Sequence, residues 1–169
     1  MLKLDWKVQP VPGKSMFNLE LGTSYAEVMK LIKGIETSVG IIQIENSTPM
    51  RLIISSDEEA IFFKTLEDGN YDWQSDLALL CFQNGFLESI TAYLNDPYSY
   101  RGLICGEVGL GHEIRELERY FTLEYDGIDE VMYALNEAKL NGLELQGSSC
   151  DLSVDPTQKI VGMKVFIVE

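Results

Sequence analysis

The sequence predicts an α+β fold, an antiparallel or mixed sheet carrying two or three helices. Three observations predict it. Asn84-Gly85 stands between two apolar runs, Leu77–Phe82 and Phe86–Tyr93, and this dipeptide readily takes the positive φ angles of a tight hairpin turn. Ser24-Tyr25-Ala26-Glu27 has capping-box spacing, the serine accepting from the N–H three residues on while the glutamate reaches back. No repeating βαβ pattern runs along the chain, so a doubly wound nucleotide fold is not expected.

Trp6 to Val11 alternates loosely and ends at the turn signal Pro12-Gly13. Met16–Leu21 reads as one half-buried strand with Phe17, Leu19 and Leu21 on one face, closed by Gly22. After the capping box, Val28, Leu31 and Ile32 form the stripe of a helix that Gly34 stops. Gly40–Ile44 and Leu52–Ser55 are further strands around a polar turn at Asn46–Pro49. Asp57 to Asp76 is polar and acidic, interrupted by Ile61-Phe62-Phe63. The Asn84-Gly85 hairpin is the expected centre of the sheet, and Asn95–Tyr100 is a loop of turn formers. Phe121–Tyr125 follows as a strand. Ile128, Val131, Met132, Leu135 and Ala138 fall at helical spacing and predict a helix over Ile128–Leu140, with a strand through Val131–Leu135 as the alternative. Leu143–Gln146 and Val161–Val168 complete the strands; the last is apolar, and as a sheet edge it would invite pairing.

Leu21-Gly22-Thr23-Ser24-Tyr25-Ala26-Glu27-Val28 aligns with Leu110-Gly111-His112-Glu113-Ile114-Arg115-Glu116-Leu117. In both, a strand ends at Leu-Gly, a helix begins, and apolar residues match again at Leu31/Tyr120 and Ile32/Phe121. This shared strand–Gly–helix punctuation predicts an internal duplication within a single domain, residues 1–169, whose similar halves are about 1–94 and 95–169.

A chain of 169 residues with 46% apolar content can bury a core without a metal or disulfide. The start, Met1 to Lys14, lacks the apolar stretch and cleavage site of a signal peptide, and no segment reaches the roughly eighteen apolar residues of a membrane span. Three widely spaced cysteines, Cys81, Cys105 and Cys150, read as free thiols in a reducing cytoplasm. Charge is the least ordinary property: 27 acids stand against 13 bases, a net charge of −14. Such a surface repels phosphate backbones and anionic membranes, so neither nucleic acid nor a bilayer is an expected partner. It attracts cationic proteins and speeds their encounter.

The residues do not assemble a catalytic set. The one histidine, His112, falls at a helix start, where a capping or first-turn role is the plainer reading than a dyad with Cys105. One histidine and scattered cysteines match no zinc spacing, and Asp57-Glu58-Glu59 lacks the pattern of a calcium loop, so no metal and no cofactor is expected. Gly106-Glu107-Val108-Gly109-Leu110-Gly111 has neither dinucleotide-loop spacing nor a following lysine, and Glu107 would repel a phosphate.

A partner surface is the better expectation. Asp57, Glu58, Glu59, Glu67, Asp68, Asp72 and Asp76 surround Tyr71 and Trp73, with Lys64 the only base among them. Acids interleaved with large aromatics suit a basic protein surface, the rings anchoring and the carboxylates pairing with Arg or Lys. The plainer reading is a solvated loop with its aromatics tucked into the core. A second candidate contact is the Tyr93–Tyr100 loop, where Tyr93, Tyr98 and Tyr100 flank Asp96.

Taken together, Trp6, Pro12-Gly13, the run Leu19-x-Leu21-Gly22-x-Ser24-x-x-Glu27-Val28 and the Asn84-Gly85 hairpin resemble small bacterial proteins encoded beside polymorphic toxins, in particular the immunity proteins of contact-dependent growth inhibition systems. The resemblance implies a cytoplasmic, non-catalytic toxin inhibitor that binds its cognate toxin domain, a basic nuclease, and occludes the substrate-binding face. It carries no functional residue over, and it leaves the oligomeric state open. Two other readings stand beside it: an adaptor or regulatory module for another basic protein, and an enzyme using a carboxylate pair or Cys105.

Overall fold

A computed structural model describes residues 4–44, 49–55, 59–66, 75–135 and 137–168. The chain opens with a small hairpin, β1 (Ser15–Met16) and β2 (Leu19–Glu20). The single strand expected over Met16–Leu21 is therefore split, because Phe17 and Asn18 take φ angles of 56° and 66° and turn the chain. A left-handed phenylalanine costs about 1–2 kcal/mol. Its packing offsets this: the Phe17 ring stacks on Trp6 at 4.2 Å and meets Tyr100 edge-on at 4.8 Å.

Helix α1 (Tyr25–Lys33) begins where the capping box places it. Ser24 Oγ accepts from the Glu27 N–H at 3.3 Å, the Glu27 carboxylate accepts from the Ser24 N–H at 3.3 Å, and Val28 and Ile32 are buried beneath. Six strands follow: β3 (Glu36–Ser38), β4 (Ile41–Ile42), β5 (Met50–Ile54), β6 (Ala60–Lys64), β7 (Asp76–Gln83) and β8 (Phe86–Tyr93). Asn84 at φ 53° and Gly85 at φ 80° make the expected turn between β7 and β8. The second helix is a 3₁₀ helix, Ile114–Arg119, rather than an α-helix. β9 (Leu123–Asp126) and β10 (Val131–Ala134) come next, then a short 3₁₀ turn at Ala138–Leu140, β11 (Leu143–Gln146) and β12 (Gly162–Phe166).

The helix expected over Ile128–Leu140 is not formed; the alternative strand is. Ile128 is 93% exposed, so its place in the helical stripe was coincidental, and Met132 points into the core from β10 instead. The C-terminal strand is also not an edge, since β12 lies between β8 and β11. Among the described residues the main sheet has ten strands, all antiparallel, in the order β3-β4-β5-β6-β7-β8-β12-β11-β10-β9. No described helix is long and apolar enough to cross a membrane.

One face of the sheet carries the core. Phe63, Ala78, Ala92, Met163, Leu145 and Met132 lie opposite one another across six strands, and Ile61, Leu80, Ile90, Val165 and Leu143 form the next row. All eleven are buried. Each large one contributes about 1.5–3 kcal/mol by leaving water. The N-terminal segment closes this face through Trp6, whose ring meets Phe63 at 6.1 Å. Gly142 marks how closely that segment lies: it has φ 81°, and a Cβ there would sit 2.5 Å from the Gly13 Cα and from the Phe166 carbonyl oxygen.

The strands β5–β8 and β9–β12 correspond in order and register. Ile54 opposes Ile61 and Leu80 opposes both Ile61 and Ile90, as Tyr125 opposes Met132 and Leu145 opposes both Met132 and Met163. The junctions before the helices correspond bond for bond. Gly22 N–H donates to Leu87 O, Leu87 N–H to Thr23 O and Tyr25 N–H to Gly85 O; Gly111 N–H donates to Ile160 O, Ile160 N–H to His112 O and Ile114 N–H to Gln158 O. β8 and β12, the corresponding pair, join antiparallel about Thr91 and Lys164, so Ser89 faces Phe166 and Tyr93 faces Gly162. Beyond β5 lie β4 and β3; beyond β9 the described chain places no strand.

Candidate partner-binding surface

Of the predicted contact residues, Asp57, Glu58, Glu67, Asp68, Tyr71, Asp72 and Trp73 lie outside the described residues. Glu59 is exposed just before β6, and its carbonyl accepts from the Phe82 N–H at 2.7 Å. Asp76 opens β7 and pairs with Lys64, both side chains being largely covered, so this carboxylate is spent within the protein. Tyr98 is half-buried and its carbonyl accepts the Trp6 indole N–H at 3.0 Å. Tyr100 is 1% exposed, and its hydroxyl donates to the Val8 carbonyl. Its ring fills the core against Phe17, which puts Tyr100 out of a partner's reach.

The sheet's other face is built differently from the core face. Phe62, Leu79, Thr91, Lys164 and Glu144 lie opposite one another across β6, β7, β8, β12 and β11. Its two lysines are neutralised in place: Lys64 by Asp76, and Lys164 by Glu144 at 3.1 Å. Each also lies over a neighbouring ring, Lys64 5.7 Å from Phe62 and Lys164 5.1 Å from Phe166. Cys81 sits here, its thiol pushed up by burial against the opposing pull of Ser89 and Lys164. Burial, then Asp76, likewise raises the Tyr93 hydroxyl. This face presents rings, aliphatic stems and compensated charge.

A second acidic stretch, none of whose six carboxylates joins an ion pair among the described residues, lies elsewhere. Glu118, Glu124, Asp126, Asp129, Glu130 and Glu137 fall in and around β9 and β10 with Arg119 as the only base between them, and Arg119 itself is bound to Glu107 at 2.7 Å. Two tyrosines report the field. The Tyr125 hydroxyl is raised by desolvation and then by Glu130, and the Tyr133 hydroxyl by desolvation and then by Glu124. In sequence this stretch was divided between an expected strand, Phe121–Tyr125, and an expected helix, Ile128–Leu140, and was not singled out. A plain count of charge between Glu118 and Glu137 would have found it.

Burial and then Glu107 raise the exposed Cys105 thiol, against the opposite pull of Arg119. His112 holds the strand-to-helix junction through its carbonyl. The glycine-rich loop is a tight turn in which Ile104 and Val108 bridge. Among the described residues no three His, Cys, Asp or Glu side chains are placed to hold a metal.

No family model matches this chain, and no curated protein matches it. A crystal structure of a cysteine-rich secretory protein from Staphylococcus aureus subsp. aureus Mu50 is similar over 98% of this chain with a TM-score of 0.38 and 7% identity. The chain spans about half the length of that protein, 48%.

Proposed function

We propose that this chain is an immunity protein: a cytoplasmic, non-catalytic inhibitor that binds a cognate toxin domain, a basic nuclease, and covers the face on which the toxin would hold nucleic acid. The observation that carries the reading is charge, −14 over 169 residues, with carboxylates in and around β9 and β10 that no ion pair among the described residues neutralises. A surface of this kind competes with a phosphate backbone for the same cationic groups and steers a basic partner toward it. We further infer that the chain is an internally duplicated unit. The corresponding registers of β5–β8 and β9–β12 and the matched bonds at Gly22 and Gly111 support that reading.

The test is co-purification with the toxin-like domain encoded by the adjacent upstream gene, followed by a nuclease assay with and without this chain. Capture with loss of nuclease activity is expected. A neighbourhood holding no toxin-like gene counts heavily against the proposal, and capture of a basic protein without toxic activity replaces it with the adaptor reading. Reversing Asp68 and Asp72 to lysine should weaken the complex more at low salt than at high salt. No loss at low salt removes that stretch from the interface.

A further inference from the structure

The two corresponding halves of the sheet end differently. In the N-terminal half, β5 is covered by β4: Ile41 opposes Arg51, Ile42 opposes Met50, and the Leu52 N–H donates to the Gly40 carbonyl at 2.8 Å. Ile42 is wholly buried in the core. The counterpart of β5 is β9, with Leu123 in the place of Leu52. The Leu135 N–H donates to the Thr122 carbonyl, so by the alternation of an antiparallel ladder Thr122, Glu124 and Asp126 direct their backbone groups to β10. Those of Leu123 and Tyr125 point away from it, and no described backbone group meets them.

A cavity of about 410 Å³ flanks this edge on the core side. Leu123, Tyr125, Met132 and Leu152 share its lining with the charged Arg115, Glu118 and Asp151. On the other side of the strand stand Glu124 and Asp126. A strand laid along β9 would therefore send alternate side chains into this hollow, past Leu123 and Tyr125, and toward Glu124 and Asp126.

We propose that β9 is a strand-acceptor edge, filled by an extended segment of a basic protein partner that pairs antiparallel with it and alternates apolar residues with Lys or Arg. The segment takes the position that β4 holds in the other half, its apolar side chains entering the cavity and its cations meeting Glu124 and Asp126. A second copy of this chain does not suit the edge, since β9 against β9 would bring Glu124 and Asp126 of two molecules together. The proposal rests on the reading of this protein as a binder of a basic toxin and names the contact within it.

The full chain, isotopically labelled, is titrated with two synthetic peptides, one alternating Ile and Lys and one alternating Ile and Glu, while amide exchange is followed by NMR. The Ile–Lys peptide should slow exchange at the Leu123 and Tyr125 amides and the Ile–Glu peptide should not. Tyr125→Pro removes an outward N–H while sparing the β9–β10 bonds, and it should weaken the Ile–Lys peptide by at least about tenfold. Should that variant fail to fold, Glu124→Lys with Asp126→Lys serves instead and should reverse the preference to the Ile–Glu peptide. Protection elsewhere, equal response to both peptides, or none at millimolar peptide overturns the proposal. If the toxin domain is captured equally by wild type and Tyr125→Pro, the edge is wrong and the immunity reading stands. If no toxin is captured but the Ile–Lys peptide protects β9, the edge stands and the immunity reading falls.

Discussion

Replacing Tyr100 by phenylalanine keeps the ring that packs on Phe17 and removes only the hydroxyl that donates to the Val8 carbonyl. Because Tyr100 is 1% exposed, water cannot readily take the hydroxyl's place. A carbonyl left without its donor costs about 1–2 kcal/mol, which for a chain of this size lowers Tm by about 2–8 °C. The same hydroxyl sets a pH dependence. Burial, and after it Asp5, push its pKa well above the ordinary tyrosine range of about 10. The folded chain thus keeps a proton that the unfolded chain releases. The stabilisation is whole below pH of about 10 and is lost as pH rises from there toward the folded value, at up to about 1.4 kcal/mol per pH unit for one proton. A phenylalanine side chain has no such proton, so Tyr100→Phe should be less stable at neutral pH yet show a shallower alkaline decline. Urea denaturation at neutral pH and across the alkaline range measures both. Equal stability at neutral pH together with an unchanged alkaline slope would refute the reasoning.

Further outcomes follow from other sites. Gly85→Ala meets open space and should cost only the strain of a left-handed alanine, about 1 kcal/mol, whereas Gly142→Ala adds a clash with Gly13 and should cost clearly more; urea midpoints rank them. Asp76→Asn strips the largely covered Lys64 of its carboxylate and should destabilise by about 1–3 kcal/mol, while Lys64→Met with Asp76→Leu should be near neutral by the same measurement. Cys105, exposed but with its thiol raised, should react with a thiol reagent more slowly at neutral pH than a free cysteine, accelerating as pH rises. A fast-reacting Cys105 at neutral pH would revive the enzyme reading.

What could be read in the sequence was what neighbours in the chain decide. The Asn84-Gly85 hairpin and the Ser24 capping box depend on a few consecutive residues and form where expected. β3, all of it exposed, carries no apolar pattern at all and exists because β4 pairs with it. β10 was open to two periods, since Ile128, Val131, Met132 and Leu135 fit a helix. Pairing with β9 and β11, invisible locally, decided for the strand. The split of β1 from β2 turned on Phe17 adopting a conformation that phenylalanine rarely takes, which its packing on Trp6 and Tyr100 offsets. Of the candidate surface, acidity was legible, while most of the acids expected to carry it, between Asp57 and Asp76, lie outside the described residues. The stretch around β9 and β10 was overlooked, and Asp76 and Tyr100 proved to be committed inside the protein.

The placement of β12 between β8 and β11 also bears on how the chain is made. It is the last of the ten strands to be synthesised, yet it joins the two halves of the sheet. While the ribosome is still adding residues, β8 has one ladder filled by β7 and its other side open, with the apolar Ile90 and Ala92 still without Val165 and Met163. Unpaired edges of that kind are where nascent chains meet one another or a chaperone. A stall before residue 162 would therefore leave an adhesive intermediate rather than a shorter version of the finished protein.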